Sequence, residues 1–167
     1  MSRTSRRKLT LERSYPGAAI EDVWELWTTP AGIESWWGPE GFATKVLGLD
    51  LRSGGGMRYA MTAVGPAQVE FMKQAGLPLT SEVSLTYAEV TAPRRLAFTQ
   101  LADFVPGVAP YDVETVVELQ ADAQGVRMVL TLEAMHDEEW TGRAVMGWES
   151  QLGRLAAAIE ARGPVVR

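Results

Sequence analysis

The side chains that could carry out acid–base chemistry are few and lie far apart in the chain. His136 is the only histidine, and the carboxylates of Asp137 and Glu138 follow it directly. A neighbouring carboxylate can raise the pKa of an imidazole, which suits a general acid or base near neutral pH. A single histidine without a partner motif is more typical of an exposed residue at a helix start, and the sequence therefore singles out no catalytic residue.

The residue types give little support for a metal-binding site or a nucleotide-binding site. The chain has no cysteine and only one histidine, and the acidic run 137–139 is better explained by the N-terminus of a helix, where negative charge is favourable. Residues Gly54–Gly56 lack the following Lys-Ser/Thr of a phosphate-binding loop and precede a strand, so they predict a turn. We expect no cofactor and no bound metal.

Composition and charge limit the partners. Hydrophobic residues make up 46% of 167 residues, and the length suits one globular domain. Four of the 16 basic residues lie within the first eight positions, which leaves 12 basic against 21 acidic residues in the rest of the chain. That balance disfavours binding to nucleic acid, and no apolar run is long enough to span a membrane.

We predict a flexible basic tail over residues 1–8, one domain over 9–163 and a cytoplasmic location; a homodimer is left open.

Hydrophobic periodicity predicts an α+β fold. Alternation of apolar and polar residues predicts seven strands, at residues 9–15, 43–50, 57–62, 83–87, 96–100, 114–119 and 127–133. Helical spacing predicts two short helices between the first two strands, at residues 20–28 and 31–37. With no alternation of strands and helices along the chain, the sheet should be antiparallel.

Two further helices are predicted. Pro66 and Gly76 bracket an insertion at residues 67–75, in which Val69 and Met72 are expected to face a cavity mouth as part of a lid. A long C-terminal helix begins after Asp137 and ends at Gly163-Pro164. Its predicted apolar stripe consists of Trp140, Ala144, Trp148, Leu152, Leu155 and Ile159.

Several short motifs in a fixed order resemble a known family. They are Thr28-Thr29-Pro30 with Ile33, Trp36-Trp37-Gly38-Pro39, Gly41-Phe42, Asp50-Leu51-Arg52 with Gly54-Gly55, Glu89-Val90 with Pro93, Arg95-Leu96, Phe98-Thr99, and Gly147-Trp148-Glu149 with Leu152 and Leu155. On these motifs the chain resembles the START/Bet v-like (SRPBCC) superfamily, in the branch similar to the C-terminal domain of the heat-shock protein 90 ATPase activator.

The resemblance implies a helix-grip fold, in which a curved antiparallel sheet of six to seven strands wraps around a long C-terminal helix. In related proteins the cavity between sheet and helix binds apolar molecules, but the fold does not imply one activity. The chain departs from the commoner family pattern at Gln100, where an aromatic is frequent, at Leu132, where a histidine is frequent, and at the insertion 67–75.

The inward-facing positions suggest a cavity for a small apolar or aromatic molecule. Methionine is adaptable, tyrosine carries a polar group, and a buried glutamine needs a hydrogen-bond partner. Ordinary core packing is the competing interpretation at each single position. The candidate ligand-binding residues are Trp37, Met57, Tyr59, Met61, Met72, Tyr87, Phe98, Gln100, Met128, Leu130, Trp140 and Trp148.

Two alternatives to a ligand-binding domain remain at this point. One is an enzyme of the polyketide cyclase/dehydratase kind, in which Tyr59, Tyr87, Gln100, Glu114 or His136 orients and protonates a substrate. The other is a protein-binding domain of the co-chaperone type. A cavity with several convergent polar groups would favour the enzyme, and an exposed apolar patch outside the cavity would favour protein binding.

Overall fold

The computed structural model describes residues 6–103 and 105–163. Within them lie seven strands and four helices, in the order β1 (Lys8–Pro16), α1 (Ile20–Thr28), α2 (Pro30–Glu34), β2 (Phe42–Leu49), β3 (Gly56–Ala63), α3 (Pro66–Gln74), β4 (Thr80–Thr91), β5 (Arg95–Ala102), β6 (Tyr111–Ala121), β7 (Gly125–Glu133) and α4 (Glu138–Arg162). The strands form one antiparallel sheet in the order β1-β7-β6-β5-β4-β3-β2. The predicted α+β helix-grip fold is confirmed.

The predicted alternation describes the two faces of the sheet correctly. Met128 and Leu130 are fully buried, whereas Arg127, which directly precedes Met128, is exposed and pairs with Glu12 at 2.6 Å. Register shifts between Val46 and Gly48 and between Tyr87 and Glu89 interrupt the ladders. Such bulges bend and twist strands, which helps the sheet to curve around the helices.

A groove lies between the inner face of the sheet and α4. Tryptophan side chains of α1 and of the segment after α2 fill one end of it. Thr29 caps α2 by accepting a hydrogen bond from the Gly32 N–H at 3.1 Å, and Pro30 occupies the first helical turn. The indole N–H of Trp36 donates to the Leu26 carbonyl at 2.7 Å. Trp27, Trp36 and Trp37 are buried, with ring centroids 4.6 to 5.9 Å apart.

The long helix α4 begins at a capped turn, but its apolar stripe differs from the prediction. Asp137 accepts a hydrogen bond from the Trp140 N–H at 2.8 Å. The buried residue of the first turn is Thr141, whose hydroxyl accepts from the Met135 N–H at 2.9 Å. Trp140 lies outside the core, beside His136 and under the guanidinium of Arg143. The prediction was wrong for Trp140. Four residues along an α-helix rotate about 40° beyond a full turn, so this offset doubles over the eight residues between Trp148 and Trp140 and places Trp140 outside the stripe.

Arg6, Arg7 and Lys8 contact the end of β7 and the start of α4. Arg6 donates to the Ala134 carbonyl at 2.7 Å, and Arg7 pairs with Glu138 at 2.6 Å. Lys8 already pairs with Glu133 in the β1–β7 ladder. Residues 6–8 of the predicted tail thus contact the domain, and positions 1–5 lie outside the described residues.

The predicted insertion helix is confirmed as α3. None of its residues is buried, Val69 and Met72 are half-buried, and Phe71 is 66% exposed. Since α3 connects the end of β3 to the start of β4, it lies at that end of the sheet. No helix among the described residues has the length and hydropathy needed to cross a membrane.

Candidate ligand-binding cleft

A cleft of about 680 Å³ lies between the inner face of the sheet and the first half of α4. Residues of five strands and of α4 line it: Tyr59, Met61, Glu82, Val83, Ser84, Gln100, Leu101, Ala102, Asp103, Val113, Thr115, Leu132, Met135, Ala144 and Trp148. Most of these side chains are apolar, as in sites for small organic molecules, and the volume falls in the range of about 300–1,000 Å³ found for such sites.

The cleft occupies one end of the groove because the other end is filled. Its lining comes from the end of β3, the start of β4, the end of β5, the start of β6 and the end of β7, which antiparallel order brings to the same side. At the opposite side Leu152, Leu155 and Ile159 of α4 join the core with Trp27 of α1 and with Trp36 and Trp37, which follow α2. Side chains thus fill one half of the groove and leave the other half open.

The structure brings four of the twelve predicted ligand-binding residues to the cleft wall. They are Tyr59, Met61, Gln100 and Trp148. Five others face inward as predicted but pack in the filled half of the groove: Met57, Tyr87, Phe98, Met128 and Leu130. Alternation along a strand reveals which face a residue occupies but not which end of the groove is filled, so these two groups could not be separated from sequence.

The remaining three predicted residues lie elsewhere. Trp37 is buried behind the cleft wall, with its ring centroid 6.0 Å from that of Tyr59 and 5.7 Å from that of Trp148. Met72 and Trp140 are absent from the lining. Met72 is half-buried on α3, and Trp140 is turned away from the sheet by the helical offset between it and Trp148.

Several lining residues were not among the predicted ligand-binding residues. Val83, Val113, Thr115 and Met135 belong to the cleft. All of the first three have the same strand parity as the predicted inward positions; Val83 and Thr115 lie within the predicted strands, and only Val113 precedes the predicted start of β6. Met135 follows the last strand, where no periodicity marks it.

The polar centre of the cleft is a pair formed by Tyr59 and Gln100. The side-chain amide of Gln100 donates to the Tyr59 hydroxyl at 3.3 Å, and Tyr59 is only 3% exposed. Burial raises the pKa of Tyr59, while hydrogen bonds from Trp37 and Gln100 act in the opposite direction. The phenol is therefore held in its neutral form, which can donate a hydrogen bond.

The other groups considered for acid–base chemistry do not join this pair. Glu114 lies between the lining residues Val113 and Thr115, so its side chain points to the opposite face of the sheet. His136 contacts the Tyr111 hydroxyl through Nδ1 at 2.7 Å and is absent from the lining. In the described part of the chain, no three metal-ligating side chains cluster together.

A larger groove of about 980 Å³ lies at the opposite end of the sheet and is charged in character. Two of its arginines are paired: Arg95 contacts Glu118 at 2.9 Å and Glu89 at 3.0 Å, and Arg127 contacts Glu12 at 2.6 Å. The bonds from Thr91 and Arg95 hold the pKa of Glu89 below its ordinary value. Because its lining includes five charged residues, the groove suits an apolar ligand less well than the cleft does.

Comparison with known families agrees with this architecture. The family model described as activator of Hsp90 ATPase homolog 1-like protein matches residues 17–160. The chain belongs to this family. The match includes both short helices, the whole of β2 to β7 and most of α4, so all residues that line the cleft lie within it.

Solved structures of relatives share the fold of this family member. A protein from Chromobacterium violaceum is 25% identical, with 92% of this chain and 96% of that chain covered and a TM-score of 0.72. The AHSA1 protein of Silicibacter pomeroyi is 23% identical, covers 93% and 99%, and has a TM-score of 0.70. An AHSA1-like protein from Aeromonas hydrophila, also 23% identical, covers 94% of both chains at 0.69. No curated protein matches the chain.

Proposed function

We propose that this protein binds a small hydrophobic or aromatic molecule in the cleft between the sheet and α4. The observation that carries the proposal is the cleft itself: a space of about 680 Å³ with mostly apolar walls and a polar pair inside. Binding is favourable when a ligand covers an apolar wall and excludes water from it, and a few polar groups orient the bound molecule. A cytoplasmic location stays a prediction from the sequence.

The packing around the cleft also supports a binding role. Its wall contains Trp148, which is stacked on Trp27 with ring centroids 6.2 Å apart. Trp27, Trp37 and Phe98 pack against that ring from the filled half of the groove. A cleft with such a pre-organised wall loses little conformational entropy when a ligand enters.

Two measurements test this proposal. Native mass spectrometry of freshly purified protein should reveal a co-purifying small molecule. A panel of flavonoids, fatty acids and aromatic polyketides should then include compounds that change tryptophan fluorescence saturably, because Trp148 lines the cleft and Trp37 lies behind it. Absence of both a co-purifying molecule and any saturable signal would refute the proposed ligand binding.

Protein binding is the second candidate, and exposed apolar side chains around α3 favour it. Phe71 is 66% exposed, Val64 58% and Leu77 48%. Exposed apolar residues at an insertion can mark a surface for a protein partner. The family description suggests one assay, in which the ATPase rate of a heat-shock protein 90 is measured with and without this chain. A Phe71→Ser variant should abolish any stimulation, while Leu47→Ser on β2 should retain it.

A further inference from the structure

The polar atoms of the cleft are arranged to donate a hydrogen bond. The Tyr59 hydroxyl oxygen accepts from the Gln100 amide at 3.3 Å and from Trp37, whose indole nitrogen can only donate. Among the described residues, no acceptor for the Tyr59 O–H is found. The phenolic proton is therefore available to an acceptor that enters the cleft.

The charges around the cleft disfavour a ligand that carries a carboxylate. Among the described residues that line the cleft there is no lysine, arginine or histidine, whereas Glu82 and Asp103 are present. Glu82 is paired with Arg58 at 3.3 Å, and Asp103 is exposed. A carboxylate brought into the cleft would lose its hydration without meeting a cation, and burial of an unpaired charge is strongly unfavourable.

The apolar remainder of the wall surrounds this donor. Val83, Val113, Leu132 and Met135 line the cleft, and the buried Thr115 adds a second hydroxyl. A ligand without any polar atom would leave the Tyr59 proton unsatisfied on being bound, which costs affinity relative to a ligand that accepts it.

On the basis of the proposed function, we infer that the cleft selects an uncharged apolar molecule with a hydrogen-bond-accepting oxygen, such as an aromatic ketone, quinone or lactone, and that Tyr59 donates to this oxygen. Gln100 and Trp37 are positioning residues: their N–H groups occupy the lone pairs of the hydroxyl oxygen and direct its proton to the ligand. The specificity thus depends on Tyr59, while the area of apolar contact supplies most of the affinity.

Three probes of nearly the same shape test the inference by equilibrium dialysis: 2-acetylnaphthalene, 2-ethylnaphthalene and 2-naphthoate. The wild-type protein should bind the ketone about tenfold more tightly than the ethyl compound, and should bind the carboxylate least. Tyr59→Phe should abolish the difference in affinity between the ketone and the ethyl compound, because it removes the donor that distinguishes them. Tyr87→Phe, which alters a buried tyrosine outside the cleft wall, should keep the wild-type order.

The outcomes separate this inference from the function on which it rests. If ketone and ethyl compound bind equally well to the wild-type protein, or if the carboxylate binds best, the inference is overturned while ligand binding stands. If none of the three probes binds saturably, the inference is overturned, and the co-purification and fluorescence measurements described above decide separately whether ligand binding stands. If Tyr59→Phe is poorly folded in circular dichroism, the comparison of the three probes on the wild-type protein alone decides whether the inference stands.

Discussion

The guanidinium group of Arg154 on α4 donates a hydrogen bond to the carbonyl oxygen of Gly38 at 2.9 Å. The same nitrogen lies 3.1 Å from the carbonyl oxygens of both Pro39 and Phe42. Gly38 has a φ of +98°, and an added Cβ would lie 3.2 Å from both Met61 and Thr44. One arginine thus ties the long helix to the turn that follows the paired tryptophans, and that turn is a packed corner of the fold.

Replacing Arg154 by Met should destabilise the fold by about 1–3 kcal/mol, because several partly buried carbonyl oxygens would lose their donor. The measurement is chemical denaturation followed by circular dichroism. Arg143→Met on the same helix removes an exposed pair with Glu139 at 2.9 Å and should cost less than about 0.5 kcal/mol. Equal costs for the two variants would contradict a structural role of the Arg154 contacts.

Trp148→Ala should lower the free energy of unfolding by about 3 kcal/mol, since it removes an indole packed on Trp27, Trp37 and Phe98. Trp140→Ala should cost less than half as much, because Trp140 lies outside the core between His136 and Arg143. Urea titrations of both variants check the helix face. A larger loss for Trp140→Ala would show that α4 presents a different face to the sheet.

Ala144→Trp should block ligand binding without unfolding the protein. Ala144 lines the cleft, so a large ring there would occupy the ligand's space and lower the affinity for 2-acetylnaphthalene by about tenfold or more. Met146→Trp is the matched control, since Met146 lies two residues away on the same helix and is 73% exposed. Equilibrium dialysis that gave equal losses for both variants would place the binding site elsewhere.

Stability should fall in alkaline solution between pH 10 and about 12. Burial raises the pKa of Tyr15 and of Tyr87 from 10.0 to about 12, and raises that of Tyr59 as well. The folded protein therefore favours the neutral phenols, while the unfolded chain ionises near the ordinary value, so rising pH favours unfolding. Ultraviolet difference titration should show that these tyrosines ionise late, together with the loss of the folded signal.

Tyr87→Phe provides the control for the alkaline titration. The variant should lose one late-titrating phenol and retain more of its stability above pH 10 than the wild type does. Ionisation of all four tyrosines at pH 10 with the fold intact would contradict the burial of these side chains.

The family, the order of the elements and the inward positions of β3 to β7 can be predicted from the sequence. The alternation around Met128 is a local feature, and the sequence pattern alone identifies it correctly. Local patterns suffice here because a strand has a period of two residues and because turns require particular residue types.

Which of the inward positions form the cleft depends on contacts between distant parts of the chain. Tyr59 and Met57 have the same parity on β3, yet one lines the cleft and the other is packed in the core. Trp140 and Thr141 are neighbours on α4, yet the hydrogen bond between Met135 and Thr141 and the packing of the following turns decide which of them is buried. The residues that line the cleft and the residues that are buried both depend on where α1 and the end of α4 fill the groove. Contacts between distant segments produce no periodic pattern in the sequence, so they cannot be predicted from it.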